Sequence, residues 1–333
     1  MASALRPLLA HADDALVSDF ADMAARIRDL VRTAADVNGV ISPARWRVLQ
    51  QQISAVVFSY FVQMGGVFTL DHNGDVLPHS AFMRRLWTAV TDATNAAVGE
   101  QAARLRKSLT HAPDLALAGE RASTSPFAGL AFDLLIPDVA DVYRSYVPQY
   151  EFTWNDHRTM SDRVYAAAAL TRQQVGALTR ELLAERADAN TVADTLTRYL
   201  TDSIGRRNKP YGLNGRFSAE RLLKTETTFA YNRAQYMAAL VNPFIDEVDI
   251  VLSPQHKGVD DCDGFAAGSP YAIHEAPVPP FHSNCACTMR FHGTRTPSVV
   301  IDRLRADGSF GRVMTALSPG FAQSLLRGGN AYA

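Results

Sequence analysis

The chain has 333 residues, of which 47% are hydrophobic and 20% charged, which is enough for about two globular domains with sizeable cores. Its 33 Lys and Arg residues nearly balance 34 Asp and Glu residues, which excludes a polybasic protein as the overall class and restricts any nucleic-acid contact to a local patch. Three cysteines are too few for a disulfide-framed secreted protein and cannot all pair within one chain, so we expect a reducing compartment.

Three helices are predicted in the first third of the chain. Apolar residues recur every three or four positions over 13–36, which is typical of an amphipathic helix. Ser42-Pro43 supplies an N-cap followed by a proline at the first helical position, and predicts a second helix that runs to about Met64. A third helix is predicted from Ser80 to about Leu109.

The stretch from Val48 to Leu70 contains no charged residue and is long enough to raise the question of a membrane span. Four glutamines interrupt it, and Gly65-Gly66 breaks it. We therefore predict a buried helix here, followed by a short hairpin around Asn73-Gly74.

The fold class that these patterns indicate is α+β, with a mainly helical N-terminal region and a smaller mixed α/β C-terminal domain. The predicted regions are helical over 1–109, a linker or extended arm over 110–155, a helical segment over 156–205, an α/β domain over 206–295 and a C-terminal tail over 296–333.

A basic loop containing Arg206, Arg207 and Lys209 opens the C-terminal domain. Proline and glycine follow these residues, so a solvated connecting loop is one interpretation. The alternative is a contact with nucleic-acid phosphates, which would make the chain a non-specific DNA-binding module.

Ser218 is predicted to cap a helix that ends before Asn242-Pro243. Its polar residues at helical spacing are Arg221, Thr225, Glu226 and Arg233. One interpretation is a set of surface ion pairs, in which Glu226 meets Arg233 on one side and Arg221 or Lys224 on the other; the alternative is that these residues belong to a functional motif. A strand with one buried face is predicted next, over about 244–252.

All three cysteines lie within 26 residues, close to three histidines. Period-two geometry places Cys285 and Cys287 on the same strand face as Met289 and Phe291, so the thiols should point toward apolar side chains. The residues that could form a tetrahedral zinc site are Cys262, His282, Cys285 and Cys287. Buried free thiols and one disulfide from Cys262 to the other pair remain alternatives.

A thiol- or zinc-dependent enzyme using the same four residues is the main catalytic alternative. In that case Cys262 would be the nucleophile, with His282 or His256 as its base. Asp261 and Asp263 flank Cys262 and should raise the pKa of its thiol, which weakens it as a nucleophile.

Three segments in this order resemble the Mu F-like phage head morphogenesis family, the minor capsid proteins encoded beside the portal in tailed bacteriophages. They are Arg221–Thr227 with Tyr231–Ala234, then Ser253–His256 with Asp261–Asp263, and finally Pro279–Cys287. The resemblance covers about residues 190–295. The positions outside the cysteine cluster that carry it are Arg221, Thr225, Glu226, Asn232, His256 and Asp261.

The resemblance implies a structural virion protein with no enzymatic activity, located in the head at or near the portal vertex and assembled in the host cytoplasm. The implied partners are the portal protein and other head proteins, with packaged DNA as a further contact and no membrane. The implied role is head assembly, with DNA packaging or ejection as further steps in which the protein would take part.

Overall fold

The computed structural model describes residues 4–62, 68–70, 76–78, 80–111, 160–201, 215–240, 242, 245–293, 298–304 and 310–316. In this part of the chain the helices are α1 (Leu5–Ala34), α2 (Pro43–Phe61), α3 (Ala81–His111), α4 (Met160–Ala184), α5 (Ala189–Thr201), α6 (Gly215–Leu240) and α7 (Asp261–Ala267). The strands are β1 (Phe68–Leu70), β2 (Val76–Pro78), β3 (Ile245–Val251), β4 (Tyr271–Ala272), β5 (Thr288–Gly293), β6 (Ser298–Leu304) and β7 (Phe310–Ala316). The predicted α+β class is confirmed.

The chain divides into two compact units. The helical unit comprises residues 6–89 and 156–227, and the mixed unit comprises residues 1–5, 90–155 and 228–333. Both α3 and α6 therefore begin in the helical unit and end in the mixed unit.

The helical unit is held together by the apolar faces predicted from sequence periodicity. The buried residues of α1 include Leu16, Phe20, Met23 and Ile27. Helix α2 begins at the predicted cap, where the Ser42 hydroxyl accepts a hydrogen bond from the Arg45 amide and Pro43 occupies the first turn. It packs against α4. Within the described ranges, no helix is both long enough and apolar enough to cross a membrane.

Helix α6 begins at Gly215, so the prediction that Ser218 caps it is wrong. A Cβ at Gly215 would lie 2.9 Å from Thr171 of α4 and 3.5 Å from Leu200 of α5, so only glycine permits this close approach. The Arg216 guanidinium also donates to the Thr201 carbonyl at 3.0 Å. These contacts extend the helix by almost one turn before the serine.

The prediction that Glu226 forms surface ion pairs along its own helix is also wrong. Its side chain is completely buried, and Oε1 accepts a hydrogen bond from Arg163 Nε of α4 at 2.6 Å. Thr225, the residue before Glu226, is also buried. The Arg233 guanidinium lies 5.5 Å from the centre of the Tyr236 ring on the same helix. These polar residues at helical spacing are thus buried instead of exposed, and Glu226 pairs with another helix.

The mixed unit contains a three-stranded antiparallel sheet in the order β4-β3-β5. Strand β3 was predicted, and its buried residues Val248 and Ile250 lie opposite Phe291 and Met289 of β5. A register shift occurs between Ile245 and Glu247. The buried face packs with the end of α6, which confirms the predicted strand with one face in the core.

Two predicted connecting regions lie outside the described residues. The first is the predicted linker at 110–155, of which only residues 110 and 111 are described, as the end of α3. The basic loop with Arg206, Arg207 and Lys209 is the other. The predicted tail at 296–333 contains an antiparallel pair, β6 and β7, whose β-branched residues such as Val299 and Ile301 favour extended backbone.

Glu100 of α3 joins three parts of the mixed unit. One of its carboxylate oxygens accepts a hydrogen bond from the Ala4 amide at 2.9 Å. The other accepts from the Tyr231 hydroxyl and from Gln235 Nε2 of α6, each at 2.7 Å. The carboxylate therefore holds the C-terminal half of α6 in place by hydrogen bonds to a buried helix face.

We expect Glu100→Ala to lower the free energy of unfolding by about 1–3 kcal/mol, because buried donors on α6 lose their charged acceptor. Urea unfolding followed by circular dichroism measures the change. Glu247→Ala is the matched control, since Glu247 is exposed on β3 and its removal should change stability by less than about 0.5 kcal/mol. Equal effects of the two variants would contradict the assigned role of Glu100.

Candidate metal centre

The three cysteines and two histidines meet at one end of the sheet. Val251, the last residue of β3, pairs with Thr288, the first residue of β5. The chain that leaves β3 and the chain that enters β5 must therefore lie side by side. The first carries His256 and then Cys262, and the second carries His282, Cys285 and Cys287.

Helix α7 fixes the position of Cys262. The Asp260 side chain caps the helix by accepting a hydrogen bond from the Cys262 amide at 2.8 Å. Asp263 completes a capping box, because its carboxylate accepts from the Asp260 amide at 2.9 Å. Asp261, one of the residues that carry the family resemblance, is exposed at the start of this helix.

The thiols are buried, as predicted, but not on a shared strand face, because Cys285 and Cys287 precede β5, which begins at Thr288. Cys262, Cys285 and Cys287 are between 0% and 2% exposed, and Leu252 and Phe281 pack against them. All three are free cysteines, and the sulfurs of Cys262 and Cys285 are 3.6 Å apart. A disulfide requires about 2.05 Å, so the disulfide alternative is not the state of this structure.

His282 contacts the sulfur cluster directly. Its Nε2 lies 3.1 Å from Cys262 Sγ, and its Nδ1 lies 3.0 Å from the Ser283 carbonyl oxygen. A carbonyl oxygen only accepts, so Nδ1 carries a proton, which leaves Nε2 as the ring nitrogen that could bind a metal ion. Asp260 Oδ2 is also 3.1 Å from Nε2, which places a carboxylate beside the same nitrogen.

His256 is the residue that sequence reasoning left out of the ligand set. Its donor atom lies within 4.8 Å of those of Cys262 and Cys287, and its Nε2 is 3.0 Å from Asp263 Oδ2. This hydrogen bond raises the pKa of His256. His256 could have been included in the ligand set from its place in the sequence, because it follows the predicted strand β3, which pairs with the strand that the cysteine segment enters.

The environment favours a thiolate at one of the three sulfurs. Hydrogen bonding from the Cys287 side chain, helped by backbone amides of Cys287 and Phe281, lowers the pKa of Cys285 to about 5. The pKa of Cys262 is raised, as predicted, but the main cause is burial. The neighbouring Cys285 contributes next, and the acidic side chain of Asp260 contributes least. The hydrogen bond to Cys285 raises the pKa of Cys287.

The helix that carries the first part of the family resemblance reaches this cluster through one residue. Asn232 of α6 is fully buried, and its Nδ2 donates to the Cys287 carbonyl oxygen at 2.9 Å. Thr225 and Glu226 belong to the helical unit and are buried there. Of the non-cysteine motif residues, His256 and Asn232 thus lie at the cluster.

No protein-family model, curated protein or solved structure matches this chain.

Proposed function

We propose that the chain is a structural minor head protein of a tailed bacteriophage, which acts in head assembly near the portal vertex and has no enzymatic activity. The observation that carries the proposal is that parts of all three segments resembling the Mu F-like family pack together. Asn232 contacts the Cys287 carbonyl, and Cys262 contacts His282. This arrangement supports reading the short matches as one module instead of three unrelated coincidences.

Burial of the thiols supports a structural role over thiol catalysis. Cys285 carries the lowered pKa, yet it is only 2% exposed. A nucleophile has to approach a substrate atom to within about 3–3.5 Å, which this burial prevents. Under the proposal the partners are the portal protein and other head proteins, and the cysteine cluster serves to hold the fold that these partners bind.

The test is incorporation into particles. Heads should be assembled in cells from the structural genes of the encoding phage, with a tagged copy of the chain. We expect mass spectrometry of purified heads to find the chain in fewer copies than the major capsid protein. Cryo-EM of the same particles should place the extra density near the portal vertex.

A pair of asparagine variants tests whether the packed module matters for incorporation. Asn232→Ala removes the contact between α6 and the cysteine segment, whereas Asn95→Ala changes an exposed asparagine on α3. Incorporation should fall for the first variant and stay at the wild-type level for the second. Heads that form and fill with DNA normally while excluding the wild-type chain would overturn the proposal.

A further inference from the structure

We propose that the cluster binds one structural Zn²⁺ ion through the sulfurs of Cys262, Cys285 and Cys287 and the Nε2 atom of His282. The site holds together the chain that leaves β3, helix α7 and the chain that enters β5. This inference concerns the fold of the mixed unit and does not depend on the proposed role in the phage head.

Three of the four donor atoms already have nearly the spacing that zinc requires, and the fourth, the Cys287 sulfur, lies within 4.8 Å of the Cys262 sulfur. Tetrahedral zinc with Zn–S of about 2.3 Å and Zn–N of about 2.0 Å sets two sulfurs about 3.8 Å apart and a sulfur and a nitrogen about 3.5 Å apart. The sulfurs of Cys262 and Cys285 are 3.6 Å apart, and Cys262 Sγ is 3.1 Å from His282 Nε2. The donor atoms of Cys262, His282 and Cys285 all lie within 4.8 Å of one another. Small side-chain rotations would therefore bring them around one ion.

Neighbouring groups orient these donors as they do around bound metals. The Ser283 carbonyl accepts a hydrogen bond from His282 Nδ1 at 3.0 Å, which leaves Nε2, beside the Cys262 sulfur, as the nitrogen available to a metal ion. The Asn232 side chain donates a hydrogen bond to the Cys287 carbonyl oxygen at 2.9 Å, which holds the backbone of this ligand in place.

The type of donor selects the ion. Three soft thiolates and one imidazole suit Zn²⁺, whereas Mg²⁺ and Ca²⁺ prefer oxygen ligands. All four tetrahedral positions are filled by the protein, and the sulfurs are shielded from solvent. A closed site of this kind has no position for a substrate, which makes its role structural.

His256 occupies an outer position in this arrangement. Its Nε2 is bound to Asp263 at 3.0 Å, whereas the Nε2 of His282 directly contacts a cysteine sulfur at 3.1 Å. Through Asp263, His256 supports the capping box that fixes Cys262 at the start of α7. We therefore assign His282 as the ligand and His256 as a positioning residue.

The first test uses the wild-type full chain, purified without chelators from cells grown with zinc. We expect one zinc per chain by mass spectrometry of the metal. X-ray absorption should show three sulfurs at about 2.3 Å and one nitrogen at about 2.0 Å. Protein that contains no zinc and takes up none on titration would overturn the proposal, as would a shell of oxygen and nitrogen without sulfur.

The second test distinguishes the two histidines by competition with a colorimetric zinc chelator. His282→Gln should lower zinc affinity by at least about 100-fold, because even outer partners of metal ligands contribute about 10- to 100-fold. His256→Gln should lower it by less, and His292→Gln should leave it unchanged, since His292 pairs with Asp249 on the sheet. Loss of zinc from the His256 variant with full retention in the His282 variant would overturn the ligand assignment.

The wild-type measurements keep the proposal testable if a histidine variant fails to fold. A further wild-type readout is thermal unfolding with and without a strong chelator, which should show a lower melting temperature after metal removal. A melting temperature that does not change when bound zinc is removed would contradict the structural role.

Discussion

Arg163→Ala is expected to lower the free energy of unfolding by about 3–5 kcal/mol. The substitution leaves the Glu226 carboxylate without the guanidinium that it contacts at 2.6 Å. The Glu226 side chain is 0% exposed, so water cannot replace the lost partner. The second carboxylate oxygen of Glu226 has no hydrogen-bond partner in this structure, which increases the dependence of the buried charge on Arg163.

Urea unfolding of the full chain measures this loss, and two further variants identify its cause. Arg180→Ala removes an exposed arginine from the same helix and should change stability by less than about 0.5 kcal/mol. The double variant Arg163→Met with Glu226→Leu should recover most of the lost stability, because apolar residues of similar volume can replace a buried ion pair. A double variant as unstable as Arg163→Ala would show that packing, not the unpaired charge, is responsible.

Phe61→Ala is expected to lower the free energy of unfolding by about 3–5 kcal/mol. Phe61 ends α2 and is fully buried in the helical unit, where its ring centre lies 5.2 Å from that of Tyr60 and 5.0 Å from that of Phe82. Truncation leaves a cavity that the rigid neighbouring rings cannot fill, and it removes the edge-to-face contact with Tyr60 and the tilted contact with Phe82.

Two controls separate the cavity from the loss of an apolar residue on α2. Phe61→Leu keeps most of the volume and should cost less than about 1.5 kcal/mol. Val48→Ala, at a position that is 54% exposed on the same helix, should have an effect below about 0.5 kcal/mol. A cost for Phe61→Ala no greater than that for Phe61→Leu would contradict the cavity argument.

The two units explain why these effects should be measured on the full chain. Arg163, Glu226 and Phe61 lie in the helical unit, whereas Glu100 and the candidate metal centre lie in the mixed unit. Because α3 and α6 contribute residues to both units, truncation at a unit boundary would cut a helix and expose its buried face. Point variants avoid this complication.

The helices and the main strand could be predicted from the sequence because their signals are local. Ser42-Pro43 starts α2 through contacts within one turn, and the apolar period of α1 reports a buried face directly. Alternation with Met289 and Phe291 predicted the burial of Cys285 and Cys287, but both cysteines precede β5 and pack with Cys262 in a separate cluster. Such patterns depend on neighbours a few residues away.

Contacts between distant residues were decided by the tertiary structure alone. Glu226 has cationic neighbours on its own helix, yet it pairs with Arg163, which is 63 residues away, because packing buries that face of α6 against α4. Gly215 starts α6 ahead of the expected serine cap because Thr171 and Leu200 leave room only for a hydrogen atom. His256 lies beside the thiols because β3 and β5 pair in antiparallel register. That register is determined by packing between the strands and cannot be read from the sequence of either strand.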